Sequence, residues 1–189
     1  MLSEEALNKV HRAVCLGIRL AGGILGDIRG APSRLYFHHY RTVNALLDQL
    51  AFKVASYIEK KGFLAIPIPA SLILDWKNQK AHLSHKQLGV LAGLGWIGRN
   101  NLLVSSVFGS QFLLVSVLTN MPLEPDRPKD EGCGACRFCI PVCPAKAIKE
   151  EAGDFDFQGC FEKLKEFQRQ RLVDQYICGV CVKACGAKK

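Results

Sequence analysis

The stretch Cys133-Gly-Ala-Cys136-Arg-Phe-Cys139-Ile-Pro-Val-Cys143-Pro144 constrains this chain more than any other part of it. Its spacing is C-x2-C-x2-C-x3-C-P, in which three thiolates hold one iron–sulfur cubane and the fourth reaches a second one. The reason is geometric: short spacers let one loop wrap three corners of a compact core. Pro144 then turns the chain away and restricts its backbone. Zinc is the alternative, but zinc sites come as separated C-x2-C pairs, so the spacing favours [4Fe–4S].

The chain has 189 residues, enough for one sizeable domain or a medium domain with a small module. Nearly half its residues are hydrophobic (49%) and 22% are charged, as in ordinary globular proteins. Nine cysteines in a small secreted chain would suggest disulfides. The start, Met1-Leu-Ser-Glu-Glu-Ala, carries no basic segment followed by an apolar one, and no apolar run approaches a membrane span. A reducing cytoplasm is therefore expected, where clustered cysteines bind metal. The formal charge is +8, but ligation of eight thiolates around two cubanes would lower it to about +4. Dispersed surface lysines and arginines then explain the basic balance without nucleic acid.

Along the chain, Ser3 is a candidate N-cap, and Leu7, Val10, Val14 and Ile18 recur at helical steps, which predicts a first helix to about Leu20. Cys15 falls on or beside that stripe and reads as a small buried hydrophobe. Ala21 to Pro32 reads as a flexible connection. A longer helix is expected over Phe37–Lys61, stopped by Gly62. Phe63–Pro69, with two prolines, predicts an edge strand or a pocket-lining segment. Ser84 should cap a helix over His85–Ala92, after a polar loop.

Gly93-Leu-Gly95-Trp-Ile-Gly98 matches the dinucleotide pattern G-x-G-x-x-G, but a helix precedes it and a strand follows. That is the reverse of the required order, so the glycines read as a tight helix-to-strand turn. A hairpin is expected between Leu102–Ser106 and Phe112–Leu118, then a stiff linker with Pro122, Pro125 and Pro128.

Beyond Pro144 a short helix through Ala147 and Ile148 is expected. Cys160 follows, then a helix over Phe161–Leu172, then Cys178-x2-Cys181-x3-Cys185. This looks like the second half of a two-cluster bacterial ferredoxin, its first cysteine displaced upstream by an inserted helix; Gly186 stands where a proline would follow Cys185. Exchange of the fourth ligand between halves then assigns Cys133, Cys136, Cys139 and Cys185 to one cluster. Cys143, Cys160, Cys178 and Cys181 go to the other.

A wider resemblance rests on Ala92-Gly-Leu-Gly-Trp-Ile-Gly-Arg-Asn-Asn-Leu-Leu, Phe108-Gly-Ser, Thr119-Asn120, Pro122-Leu-Glu-Pro-Asp126 and the cysteine run. Together, over about residues 84–185, these resemble the epoxyqueuosine reductase family, relatives of the corrinoid-dependent reductive dehalogenases. The resemblance implies an α+β fold: a nitroreductase-like domain over residues 1–128 and a 2×[4Fe–4S] ferredoxin-like module over 129–189. It also implies electron delivery to a cobalamin. The family's catalytic aspartate has no counterpart, since Gln79 stands at its place by an ungapped count. The N-terminal region is abbreviated and no substrate-binding extension follows, which argues against tRNA as a partner.

Three functions follow. The first is a redox enzyme whose clusters relay electrons to a corrinoid or other cofactor. Its pocket would be formed by Pro67, Pro69, His82, His85, Gly93, Gly95 and Arg99, with His85, Gly93, Gly95 and Arg99 as cofactor-binding residues. The second is a ferredoxin-type carrier that docks a redox partner protein and has no further cofactor. In the third, the clusters only fold the C-terminal region, as structural metals do.

Overall fold

A computed structural model describes residues 2–186. The fold is α+β, centred on a three-stranded antiparallel sheet of order β1-β5-β2, formed by Arg12–Arg19, Phe112–Thr119 and Ala65–Ile68. The middle strand β5 alternates. Val115 and Val117 are fully buried in the main core, and Ser116 between them turns to the opposite face. The long helix α3 (Arg34–Lys60) covers the core face with Val43, Leu47, Ala51, Ala55 and Ile58. Helix α4 (His85–Leu91) packs on the other face.

Local signals set several of these elements. Ser33 caps α3 by accepting from the Tyr36 amide at 3.1 Å, and Gly62 (φ 85°) ends it. The helix thus starts slightly before the expected Phe37. Ser84 caps α4 through the Gln87 amide. Strand β2 lies at the sheet edge and pairs Pro67 with Val117, which the missing proline donor permits there.

The predicted first helix is corrected. Helix α1 spans only Glu4–Asn8, and after a short turn Arg12–Arg19 forms strand β1. Val14 and Ile18 fit a period of two with Leu16 as well as they fit a helix, and Leu16 and Ile18 pack against the core. Pairing along the whole length of β5 settles the choice. The expected flexible connection contains helix α2 (Gly22–Asp27), whose Leu25 is buried beside Ile28.

The predicted hairpin between Leu102–Ser106 and Phe112–Leu118 also does not form. Strands β3 (Trp96–Ile97) and β4 (Leu103–Val104) pair with each other instead. Ser105 and Gly109 exchange two backbone hydrogen bonds of 2.8 Å, and Ser110 donates its amide to the Cys185 carbonyl. That sends the chain to the cysteine region, while β5 is occupied on both edges.

The C-terminal part holds helices α5 (Cys139–Val142), α6 (Phe157–Arg169) and α7 (Val180–Ala184). No helix forms at Ala147 and Ile148, which are buried in a turn segment where Lys146 has φ 52°. Helix α6 starts earlier than expected because Asp156 caps it through the Gly159 amide at 2.8 Å, so α6 carries Cys160. Phe167, Val173, Ile177, Val180 and Val182 join the same hydrophobic cluster as α3 and β5. No helix among the described residues is long and apolar enough to cross a membrane.

Leu47 is 0% exposed at the centre of that cluster. Leu47→Ala is expected to cost roughly 2–5 kcal/mol through lost burial and the cavity left behind. Urea unfolding of the parent and the variant measures it.

Candidate metal centres and the adjoining cavity

Eight of the nine cysteines gather at one end of the fold, brought there by the packing of α5 against α7. Cys133 and Cys136 lie on the loop before α5, joined by a Cys136 amide to Cys133 carbonyl bond of 3.0 Å. Cys139 opens α5 and Cys143 ends it. Cys160 sits on α6, Cys181 on α7, and Cys178 and Cys185 flank α7.

Their mutual electrostatics divide them into groups. Burial pushes the Cys139 thiol up to about 11, and the neighbouring Cys185, Cys133 and Cys136 add to it. Cys185 is raised by burial and, further, by Cys133 and Cys136, against hydrogen bonds from Ser110. On the other side, burial pushes Cys178 up to about 11, with Cys160 and Cys143 adding. Cys181 is raised by burial and then by Cys178, Cys160, Cys143 and Cys139. Cys160 is raised by burial, Cys143 and Asp156. One neighbourhood is thus Cys133, Cys136, Cys139 and Cys185. The other is Cys143, Cys160, Cys178 and Cys181, and Cys139 touches on both.

Among the described residues, no three His, Cys, Asp or Glu side chains stand close enough to share a single ion. A cubane is wider than an ion and takes four soft thiolates with no imidazole or carboxylate. The donor set matches that chemistry. Two sulfurs also receive N–H donors in the manner of cluster ligands. The Trp96 indole donates to Cys133 Sγ at 3.5 Å, and the Ala147 amide donates to Cys143 Sγ at 3.4 Å. Buried thiols that repel one another as anions need a bound cation before they deprotonate.

A cavity of about 930 Å³ opens beside the second group. Cys143, Cys160, Cys178 and Cys181 form part of its wall, while Cys133, Cys136, Cys139 and Cys185 do not. Tyr36 and Asn44 of α3 and His85 and Lys86 of α4 line other parts, together with Gln79. Tyr36 presses its ring on Gly179, where a Cβ would come within 2.5 Å of it. Gly179 also needs its φ of 80°, so this contact fixes α7 against α3.

His85 is held on both sides. Its Nε2 lies 3.0 Å from the Pro69 carbonyl, an acceptor, so this nitrogen carries the proton and donates. Ser116 Oγ then donates to Nδ1 at 2.9 Å. Cys15 Sγ, 3.6 Å from the same hydroxyl, completes the chain as donor to it. Burial lowers the pKa of His85 and of Lys86, whose amine donates to the Asn101 carbonyl at 2.6 Å. Cys15 is thus a half-buried hydrogen-bonding thiol on the α4 face, away from the other cysteines.

Of the residues expected to form the pocket, His85 lines this cavity; Pro67, Pro69, His82, Gly93, Gly95 and Arg99 do not. A Cβ on Gly93 (φ 68°) would lie 2.6 Å from the Arg127 carbonyl, and one on Gly95 would meet the Val104 carbonyl. Both glycines serve close backbone packing. Arg99 is buried and donates to the carbonyls of Glu150, Cys136 (2.9 Å) and Gly134 (3.0 Å). It therefore holds the loop of Cys133 and Cys136. Tyr36, Asn44 and Trp96 escaped sequence reasoning because their relevance comes from partners far along the chain.

No family model matches the chain. The epoxyqueuosine reductase of Lactococcus garvieae is 35% identical over 106 residues, 52% of this chain and 30% of that protein. The tetrachloroethene reductive dehalogenase of Desulfitobacterium hafniense is 33% identical over 158 residues, 80% of this chain and 27% of that protein. A solved reductive dehalogenase, described with a mechanism for B12-dependent dehalogenation, superposes with a TM-score of 0.71 at 21% identity. That match covers 92% of this chain and 25% of that one, and it is a likeness of fold. The chain spans less than a third of the length of each of these proteins.

The linkage of His85 gives a pH test. Its folded pKa lies below the unfolded value, so the unfolded chain binds more protons as pH falls through about 6.5. Stability from neutral His85 is present above that pH and is lost towards the folded pKa. The melting temperature of the parent should fall more steeply between about pH 7 and 5.5 than that of His85→Gln; parallel curves would contradict it. Over part of their length, this chain is a homologue of the epoxyqueuosine reductases and the reductive dehalogenases.

Proposed function

We propose that this chain is an iron–sulfur redox protein with two [4Fe–4S] clusters that relay electrons to a cofactor or substrate in the cavity, in the manner of an epoxyqueuosine reductase and with a corrinoid as the cofactor. The observation that carries it is the order of the thiols. Cys133, Cys136, Cys139 and Cys185 would hold an outer cluster. Cys143, Cys160, Cys178 and Cys181, on the cavity wall, would hold an inner one. Cys139, close enough to add to the charge cost of Cys181, would join the two. When bound, cubanes supply one-electron steps and a corrinoid supplies the reduction.

In this reading residues 1–128 form the cavity-bearing unit and 129–189 a ferredoxin-like module. Tyr36, Asn44 and Lys86 would hold the cofactor. His85 has both ring nitrogens engaged, so the cavity wall gives the corrinoid no free imidazole ligand. A reducing cytoplasm keeps the thiols competent to bind iron.

A second reading, a ferredoxin-type carrier with no further cofactor, is favoured by one observation. Phe138, beside Cys139, is 73% exposed and Val142, beside Cys143, is 40% exposed. Such exposed apolar residues, one beside an outer thiol and one beside an inner thiol, suit docking of a redox partner protein.

Anaerobic reconstitution should give about eight irons per chain, as two cubanes require. Cys181→Ala should fall to about four, and a value that stays near eight overturns the ligand assignment. Titration with hydroxocobalamin, followed in the visible spectrum, should shift the corrinoid bands. No shift and no co-elution would leave the carrier reading alone.

A further inference from the structure

The cavity wall is short of acid. Among the described residues, no aspartate or glutamate lines it, whereas Lys80, Lys86 and Lys163 do. Two of these ammonium groups have carboxylates at hand. Lys163 pairs with Glu166 at 2.5 Å. Lys80 lies near Asp75, whose carboxylate also accepts from the amides of Lys77 and Asn78, both at 3.0 Å. Lys86 forms no ion pair among the described residues; its one acceptor is the Asn101 carbonyl, at 2.6 Å.

Lys86 is half-buried in the first turn of α4, and burial lowers its pKa with no carboxylate to offset the cost. Taking an ammonium out of water is unfavourable unless an anion or a full set of acceptors replaces that water. Buried Arg99 has the set of acceptors: it donates to the carbonyls of Glu150, Cys136 and Gly134. Lys86 meets a single acceptor with three N–H groups. Asp48, the carboxylate felt by neighbouring His85, holds the Ala70 amide at 2.8 Å and does not line the cavity.

The rest of the wall suits an organic anion. Leu102, Phe112, Phe155, Phe157 and Leu164 line the same cavity. Apolar walls of this kind lower the local dielectric and strengthen a charge-assisted hydrogen bond relative to water. An inner cluster would make the thiol wall negative, which leaves α4 as the side that receives an anion.

We propose that Lys86 anchors an acidic group, a carboxylate or a phosphate, of the molecule that occupies the cavity. The two free N–H groups of its ammonium donate to the oxygens, and the anion supplies the missing counter-charge. Two sources share this chemistry: an organic acid acting as substrate, and the phosphodiester of a cobalamin. This deepens the cavity reading above, by naming the charge of the occupant, and rests on it.

The test is equilibrium dialysis of the anaerobically reconstituted full chain against two matched pairs of probes. One pair is 1-naphthoate and its neutral amide, 1-naphthamide. The other is hydroxocobalamin and cobinamide, which lacks the phosphodiester. The parent should prefer the anionic member of at least one pair by about tenfold or more, the worth of a charge-assisted hydrogen bond. Lys86→Gln, which keeps a donor for the Asn101 carbonyl but no charge, should cut that preference to within about twofold, and Lys86→Arg should retain it. Lys86→Met gives a second uncharged variant, with iron content and near-ultraviolet circular dichroism as checks on folding. Lys53→Met, at an exposed lysine of α3, should change neither pair. Loss in the naphthoate pair assigns the acid to a substrate, and loss in the cobalamin pair assigns it to the corrinoid. A parent that binds both members of each pair equally overturns the inference but leaves the cavity reading standing. A preference unchanged in both Lys86→Gln and Lys86→Met does the same. A parent that binds none of the four probes sinks the cavity reading itself, and this inference with it.

Discussion

Burial of mutually repelling thiols is the constraint on which the rest of this architecture depends. Burial pushes Cys139 and Cys178 up to about 11 and Cys181 higher, and each is raised further by neighbouring thiolates. A chain that only needed a core would not place such groups against Val180, Val182 and Phe167. Bound iron would supply the positive charge that lets them ionise, and cluster binding would thereby be coupled to folding. The same packing seats Tyr36 on Gly179, so the cavity wall and the thiol wall are fixed by one contact.

The sheet contributes rigidity on the other side of the cavity. Strand β5 divides its two faces between the apolar core and the polar chain Cys15–Ser116–His85–Pro69. His85 is held neutral there by burial, with its tautomer dictated by the Pro69 carbonyl. Its role is to lock α4 and the end of β2 to the central strand. The cavity therefore has one wall set by hydrogen bonds and another set by close packing.

The turn between α4 and β3 joins these parts. Gly93 and Gly95 permit backbone contacts that any Cβ would block, with Arg127 and Val104. Arg99 and Trp96 then reach across to the cysteine loop. The motif's resemblance to a phosphate-binding fingerprint reflects a shared need for close backbone approach, met here for protein rather than for a nucleotide.

What the sequence by itself determined was whatever depends on local chemistry. The Ser84 cap, the Gly62 stop, the edge position of the Pro67 strand and the clustered spacing of the cysteines all follow from neighbours a few residues apart. Tertiary structure alone decided the rest. Arg12–Arg19 became a strand because β5 offered it a full partner, although its apolar residues also fit a helix. Ser105 and Gly109 closed a local loop in place of the expected hairpin, and Ala147 and Ile148 were buried without forming a helix. The packing contacts of Arg99, Gly93 and Gly95 could not be read locally, because their partners lie 30 or more positions away, or across a hairpin whose register no periodicity specifies. Long-range pairing selects among local options of similar energy, and only the folded chain contains that information.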